Sequence, residues 1–108
     1  MGKLKGGRSP KQKGNRVERM VVNMAKDKGL KAKRAYASDG RSLGLHEEVD
    51  VVINDIKVQV KARKSIAEFM KPNENVDVVV LKEDRMEPLV VLTLHEYLDN
   101  LVWLAKLN

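Results

Sequence analysis

Two apolar runs on either side of a turn signal impose the strongest constraint on how this chain folds. Val51-Val52-Ile53 is followed by Asn54-Asp55 and then by the alternating run Ile56–Ala62. Asn and Asp favour tight turns, and successive side chains of a strand point to opposite faces of its sheet. The pattern therefore predicts a β-hairpin whose strands cover residues 49–53 and 56–62.

The hairpin carries polar side chains that suit phosphodiester chemistry. Gln59 and Lys61 are expected on the face opposite to Val60, and Asp50 lies near the start of the first strand. A carboxylate, an amide oxygen and an ammonium group would then meet on one small sheet. Such a group can hold a divalent metal ion and activate a water molecule.

The charge of the chain is polarised along the sequence. Residues 1–45 contain thirteen Lys/Arg and three Asp/Glu, a net charge of +10, whereas residues 46–108 contain eight and twelve, a net charge of −4. A concentrated positive charge is typical of proteins that bind a polyanion. The alternative is a disordered basic tail attached to an ordinary domain.

Composition limits the class of protein. A chain of 108 residues with 43% apolar content can form one domain with its own core. The chain contains no cysteine, so a disulfide framework and a thiolate metal site are excluded. Because no apolar run suits a signal peptide or a membrane span, we expect a cytoplasmic protein of a bacterial or archaeal cell, encoded by the cell or by a virus, without a membrane partner.

Periodicity predicts the order of elements in the first half of the chain. Residues 1–13 are expected to form a flexible basic arm, and residues 14–108 a single domain. Apolar residues at helical spacing predict a helix over Asn15–Lys28, which Gly29 ends. A short strand over Leu30–Ala37 and a polar loop over Ser38–His46 precede the hairpin.

The second half alternates short elements with one long helix. We expect a helical turn over residues 65–70, a buried strand over 76–81, a strand over 89–92 and a helix over 93–107. Thr93 and Glu96 fit a capping box at the start of that last helix. Its apolar set is wider than one core-facing stripe requires, which favours a subunit interface.

This order of elements resembles the PD-(D/E)XK nuclease superfamily and, more narrowly, the small Holliday-junction resolvases of archaea and phages. The motifs that carry the resemblance are Gly14–Arg19, Val49–Val52 and Gln59–Arg63. The resemblance covers about residues 14–104. It implies an α/β, restriction-endonuclease-like core with a central mixed β-sheet of about five strands flanked by helices.

The resemblance also implies a role for each residue of the site. Asp50 would bind Mg²⁺, for which Mn²⁺ could substitute, together with the amide oxygen of Gln59 and the carbonyl of Val60. Glu18 would complete the metal shell directly or through water. Lys61 would orient or help to deprotonate the attacking water, or stabilise the phosphate. Hard oxygen ligands of this kind are those that Mg²⁺ prefers.

Gln59 departs from the family pattern, in which an acid is commonest at this position. A neutral ligand lowers the negative charge of the site and weakens metal binding. Glu47, Glu48 or His46 could compensate for the missing charge. The departure supports a second hypothesis, a non-catalytic protein that binds branched DNA on the same fold.

Basic residues around the site are expected to contact backbone phosphates without reading sequence. The expected contacts are Arg16, Arg19, Lys31, Lys33, Arg34, Arg41, Arg63 and Lys64, with Ser38 as a further phosphate contact by resemblance. Aromatic residues are scarce, so recognition by base stacking on single strands is not expected. Recognition of duplex or branched DNA by its shape fits better.

The site residues also have structural interpretations. Glu18 could close a capping box with Asn15, and Asp50 could cap a turn or pair with a basic residue. Lys61, His46 and His95 could simply be solvated.

Three functions therefore remain open. The first is a homodimeric, metal-dependent endonuclease that resolves four-way junctions in DNA recombination and repair. The second is the non-catalytic binding protein, and the third is a nicking or repair nuclease acting on other branched DNA. A dimer suits the first function, because paired symmetric nicks call for two sites related by a twofold axis.

Overall fold

The computed structural model describes residues 10–107, which begin with a long helix, α1, over Pro10–Asp27. Proline is common in the first turn of a helix because its missing N–H needs no partner there. The helix starts earlier than predicted, so residues 10–13 of the expected arm are helical, while residues 1–9 lie outside the described residues. Asn15 is inside α1, and the alternative in which it forms a capping box with Glu18 is therefore wrong.

Gly29 ends α1 as predicted. Its φ of 85° lies in the left-handed region, where a side chain is strained. The N–H of Leu30 donates to the carbonyl of Ala25 at 3.0 Å, and the N–H of Gly29 donates to that of Lys26 at 2.9 Å. These two bonds form a Schellman motif, which satisfies the last carbonyls of the helix.

The predicted hairpin is confirmed, with strands shorter than the predicted 49–53 and 56–62, and it belongs to a three-stranded antiparallel sheet. The strands are β1 (Ala32–Arg34), β2 (Val51–Ile53) and β3 (Ile56–Val58), in the order β1-β2-β3. Asn54 and Asp55 have φ values of 47° and 70°. Positive φ at both central residues is the mark of a type I′ turn, whose twist matches that of the strands it joins.

The core of this first unit lies between α1 and one face of the sheet. Val51 and Ile53 are fully buried on β2, and α1 packs against β1 and β2. Val21 and Ala25 of α1 are also buried. The predicted helical stripe therefore faces the sheet, as its spacing indicated.

The segment between β1 and β2 is more ordered than the polar loop that the sequence predicted. It contains two 3-10 turns, Tyr36–Ser38 and Gly40–Leu43. A Cβ atom on Gly40 would overlap the carbonyl oxygen of His46 and approach Cβ of Val49 to 2.8 Å. The segment thus folds back tightly on itself at Gly40, just before β2.

Residues 63–107 form a second compact unit, separate from residues 10–62. It contains a 3-10 turn (Glu68–Met70), an antiparallel pair β4 (Val79–Leu81) and β5 (Leu89–Val91), and helix α2 (Leu94–Lys106). Oγ1 of Thr93 accepts the N–H of Glu96 at 3.2 Å, which confirms Thr93 as the N-cap. The interpretation of residues 14–108 as one domain stays a prediction.

Two expectations about the strands are not met. The five strands form an α/β fold with two antiparallel sheets, of three and two strands, rather than one mixed sheet of five. The strand expected to be buried over residues 76–81 is exposed, since Val78 and Val80 keep 46% and 63% of their surface. A continuous apolar run is buried only where other elements cover both faces, and in the described residues β4 pairs with β5 alone.

Neither α1 nor α2 has the length and apolar composition that a membrane span requires, within residues 10–107.

Candidate active site

Asp50 lies where the regular ladder of β2 is interrupted. Its N–H donates to the carbonyl of Val58 on the β3 side at 2.9 Å, while its carbonyl accepts the N–H of Ala35 on the β1 side, also at 2.9 Å. In a regular strand both backbone groups of one residue face the same neighbour. Val58 is also opposite Val51 in the ladder. Two consecutive residues, Asp50 and Val51, therefore face one residue of β3, which is the arrangement of a β-bulge. Bulges of this kind redirect a side chain.

The Asp50 carboxylate is held by the backbone of the next strand segment. The side chain is buried, with 8% of its surface exposed, and its Oδ2 accepts the N–H of Val60 at 2.7 Å. A short bond to an ionised acceptor is stronger than a neutral one. A carboxylate has about four lone-pair positions, so this bond leaves Asp50 with capacity to bind a cation.

Gln59 and Lys61 lie one residue on either side of the Val60 N–H. Exposure alternates strictly along this segment, with Lys57, Gln59 and Lys61 exposed and Val58, Val60 and Ala62 half-buried. The predicted division of side chains between two faces is thus confirmed. In the described part of the chain, no hydrogen bond or ion pair joins the Gln59 or Lys61 side chain to another residue. Neither side chain is therefore held by another residue of the described chain.

Glu18 is the other buried carboxylate of this unit. It projects from α1 with 4% of its surface exposed, and its Oε1 lies 3.9 Å from Nε of Arg34 on β1. Arg34 also donates from Nη1 to the carbonyl of Asn15 at 3.4 Å. A buried charge is costly without a partner, and Arg34 supplies one. Since Arg34 is opposite Val51, this ion pair lies beside the strand position that follows Asp50.

The predicted site is therefore assembled in part. Asp50 and Val60 are bonded, Glu18 is buried beside the same strands through Arg34, and Gln59 and Lys61 flank the bonded N–H but point to the exposed side. The sequence did not indicate Arg34 as the partner of Glu18, nor Val60 as a backbone donor. A backbone N–H leaves no trace in a sequence, and only the bulge at Asp50 brings this one within reach.

The oxygen donors fit a hard divalent cation in their chemistry. Asp50 and Glu18 offer carboxylate oxygens, and Gln59 and Val60 offer an amide and a backbone carbonyl. Within residues 10–107, no group of three or more His, Cys, Asp or Glu side chains is placed to hold a metal ion. The proposed set contains only two such residues, so this result does not bear on it.

The residues considered as substitutes for a missing acid lie before β2. Glu47 and Glu48 occupy an exposed turn rather than the strand. The N–H of Glu48 donates to Nδ1 of His46 at 3.0 Å, and Nδ1 lies 3.6 Å from Oε1 of Glu48. On α2, Nε2 of the exposed His95 lies 3.4 Å from Oδ2 of Asp99. Each histidine thus has a local partner on its own segment.

The residues expected to contact phosphates differ in their surroundings. Arg16 and Arg19 are exposed on α1 and, with Gln12 and Asn15, line a depression of about 440 Å³. Lys33 is exposed on β1, and Ser38 ends the first 3-10 turn. Arg63 and Lys64 are exposed in the second unit.

Arg41 is paired with a carboxylate. Its Nη2 lies 2.6 Å from Oδ2 of Asp39, and its Nε donates to both oxygens at 3.0 Å. These hydrogen bonds to the guanidinium lower the pKa of Asp39, and the same pairing raises the pKa of Arg41. Because Asp39 balances its charge, Arg41 attracts a phosphate less strongly than Arg16 or Arg19 does.

No protein-family model matches this chain, and no curated protein and no solved structure matches it either.

Proposed function

We propose that this chain is a metal-dependent, structure-selective DNA endonuclease of the PD-(D/E)XK type that resolves four-way junctions by paired cleavage. The observation that supports it best is the buried Asp50 carboxylate, bonded to the Val60 N–H between Gln59 and Lys61. This bond places a buried carboxylate next to a segment that carries an amide and an ammonium group, the three groups that the proposed chemistry uses. We infer a cytoplasmic location, where recombining DNA is present.

The chemistry requires charge neutralisation at the phosphate and a polarised water molecule. Asp50, Gln59 and the carbonyl of Val60 would hold Mg²⁺, with Glu18 completing the shell, and the ion would supply Lewis acidity. Lys61 orients the water and neutralises the phosphate with its exposed ammonium group. A water oxygen bonds to phosphorus as the water releases a proton to solvent, the bond from phosphorus to one sugar oxygen breaks, and that oxygen takes up a proton from solvent.

The charge distribution supports DNA as the substrate. The net charge of +10 over residues 1–45 includes the exposed Arg16, Arg19 and Lys33 of the first unit. Paired nicks in a four-way junction require two active sites related by a twofold axis, so we propose a homodimer. The exposed apolar residues Trp103 and Leu104 of α2, with Leu107 directly after it, form the surface we propose for its interface.

The test is cleavage of an end-labelled four-way junction in Mg²⁺ and in Mn²⁺, at protein concentrations that saturate binding. We expect symmetric paired nicks in the junction and none in a linear duplex of the same sequence. The Lys61→Ala variant should lose at least about 100-fold in rate, since one stabilising donor contributes about that much to a charged transition state.

Lys26→Ala is the matched control for this test. Lys26 is exposed in the last turn of α1 and belongs to the same unit. Its variant removes the same charge away from the site and should cleave at the wild-type rate. Equal rates for Lys61→Ala and the wild type would show that the catalytic assignment is wrong. Preferential cleavage of flaps over junctions would identify a nuclease for other branched DNA.

A non-catalytic branched-DNA-binding protein is the second candidate, and Gln59 favours it. The side chain is neutral and exposed where the resembling family commonly has an acid. Gln59→Glu adds a carboxylate beside the Val60 carbonyl and should tighten Mn²⁺ binding, measured by calorimetry. Tight junction binding by the wild type, with nicks only in Gln59→Glu, would favour the second candidate over the first.

A further inference from the structure

The three-stranded sheet has one face packed on α1 and one face that carries lysines. Lys33 of β1 is opposite Val52 of β2, and Val52 is opposite Lys57 of β3, so the three residues form one row across the sheet. Lys31 lies two residues before Lys33 and therefore on the same face. In the neighbouring row, Val51 is buried on the face toward α1. We call Lys31, Lys33 and Lys57 the lysine face.

The lysine face is open and almost free of negative charge. All three lysines are exposed, and among the described residues none of their side chains forms an ion pair. Lys31 and Lys33 line a depression of about 270 Å³ together with Ala32, Val52, Asn54 and Asp55. Asp55, in the hairpin turn, is the acid in that lining.

The spacing of the row suits a nucleic-acid backbone. Neighbouring strands lie about 4.8 Å apart, so the backbone positions of Lys33 and Lys57 are separated by about 10 Å. Phosphates of one DNA strand rise by about 3.4 Å per step, so the row spans about three of them. Lysine side chains are long and flexible, which allows each ammonium group to reach a phosphate without reading the bases.

We propose that the lysine face is a second contact surface for the DNA backbone, distinct from Arg16 and Arg19 on α1 and continuous with the exposed face that carries Gln59 and Lys61. This proposal rests on the proposed function, because it assumes that the chain binds DNA. The face binds duplex arms through their phosphates, without sequence preference. It adds Lys57 to the expected phosphate contacts and joins it to Lys31 and Lys33 in one surface.

An ordinary structural role competes with this proposal. The stems of Lys33 and Lys57 flank the half-buried Val52 and can cover it, and lysines on outer strands also discourage pairing between sheets. Neither role requires the lysines to contact DNA. The salt dependence of binding separates the two explanations, because its slope reports how many phosphates the side chains of the protein neutralise.

The experiment compares two triple variants of the full-length chain. The first is Lys31→Gln with Lys33→Gln and Lys57→Gln. The control is Lys26→Gln with Lys82→Gln and Lys106→Gln, three exposed lysines elsewhere that remove the same total charge. The measurement is the affinity for a four-way junction and for a linear duplex at several salt concentrations, after circular dichroism has shown that both variants are folded.

We expect the slope of log affinity against log salt to become shallower by about 2.7 in the first variant, at about 0.9 for each lost contact, and by less than about 1 in the control. Asp55→Asn, which removes a carboxylate beside the lysines, should tighten binding. Equal changes in the two triple variants would overturn the proposal. So would stronger binding of anionic lipid vesicles than of DNA, lost in the first variant alone.

Separate measurements of cleavage and of binding distinguish this proposal from the nuclease proposal. If the wild type binds DNA without cleaving it, and the first variant changes the slope as expected, the lysine face stands and the nuclease assignment fails. If the wild type cleaves and the slope does not change, the lysine face alone fails. A wild type that binds no DNA would contradict both.

Discussion

At the scale of single residues, the Asp50 carboxylate is both costly to bury and the proposed ligand of the metal ion. An acid between Val49 and Val51 on a buried strand is unfavourable unless it has a partner. The structure supplies the Val60 N–H as that partner, and the bulge leaves the carboxylate at the end of β2. The same hydrogen bond therefore satisfies the backbone and positions the acid.

Two substitutions at Asp50 separate these roles. Asp50→Asn keeps an oxygen that accepts the Val60 N–H, so we expect little loss of stability, normal junction binding and no cleavage. Asp50→Ala leaves the part-buried N–H without its partner and should lower the free energy of unfolding by about 1–3 kcal/mol. Denaturant unfolding and junction cleavage measure the two effects. Full cleavage by Asp50→Asn would contradict the proposed metal-binding role.

At the scale of elements, the ends of helices and turns follow local rules closely. Gly29 ends α1 in the left-handed region, and Asn54-Asp55 forms the hairpin turn with two positive φ values. The N-cap at Thr93 is bonded as its sequence motif indicated. Each of these features depends on a few adjacent residues, which is why their positions were predictable.

The two glycines of the α1 region should respond in opposite directions to the same substitution. Gly14 lies inside the helix and Gly29 lies just after it, and a Cβ atom would meet no atom within 4 Å at either position. Gly14→Ala should stabilise the fold by about 0.5–1 kcal/mol, because alanine is the better helix former. Gly29→Ala should destabilise it by about 1–2 kcal/mol, because it forces a side chain into the left-handed region. Thermal unfolding of both variants is the measurement, and shifts of the same sign would contradict the assigned end of α1.

At the scale of the whole molecule, the proposed paired cleavage requires the proposed dimer. Leu98 and Leu101 of α2 are buried, whereas Trp103 and Leu104 near its end, and Leu107 directly after it, are exposed. Exposed apolar side chains grouped on one helix are typical of surfaces that bind a partner. The apolar residues beyond one core-facing stripe, which the sequence indicated for this helix, therefore lie at the surface.

The proposed dimer can be tested on this helix. Trp103→Glu and Leu104→Glu should convert the dimer to a monomer in sedimentation equilibrium, and nicking of the junction should become unpaired. Asn75→Glu introduces the same charge at an exposed position of the second unit outside α2 and should leave the dimer intact. A wild type that sediments as a monomer, or a charge at Leu104 that leaves a dimer unaffected, would show that the assembly or its interface is misassigned.

Much of the first unit could be predicted because its signals are local or periodic. The apolar stripe of α1, the alternation along Ile56–Ala62 and the turn between β2 and β3 each appear in adjacent or regularly spaced residues. The start of α1 was placed too late because glycine and basic residues suggested an arm, although proline at position 10 is compatible with a first helical turn. The burial predicted for β4 was wrong because a run of valines does not specify what covers it.

The sequence by itself determined the order of the elements, the faces of β3 and the residue types available for chemistry, because propensity and alternation operate over a few neighbouring residues. The tertiary structure decided which groups meet. It buried Glu18 against Arg34, sixteen positions along the chain, and turned Asp50 toward the N–H of Val60 through a bulge. It also divided the five strands between two sheets. These outcomes depend on packing and hydrogen bonding between distant segments, for which no local pattern carries a signal.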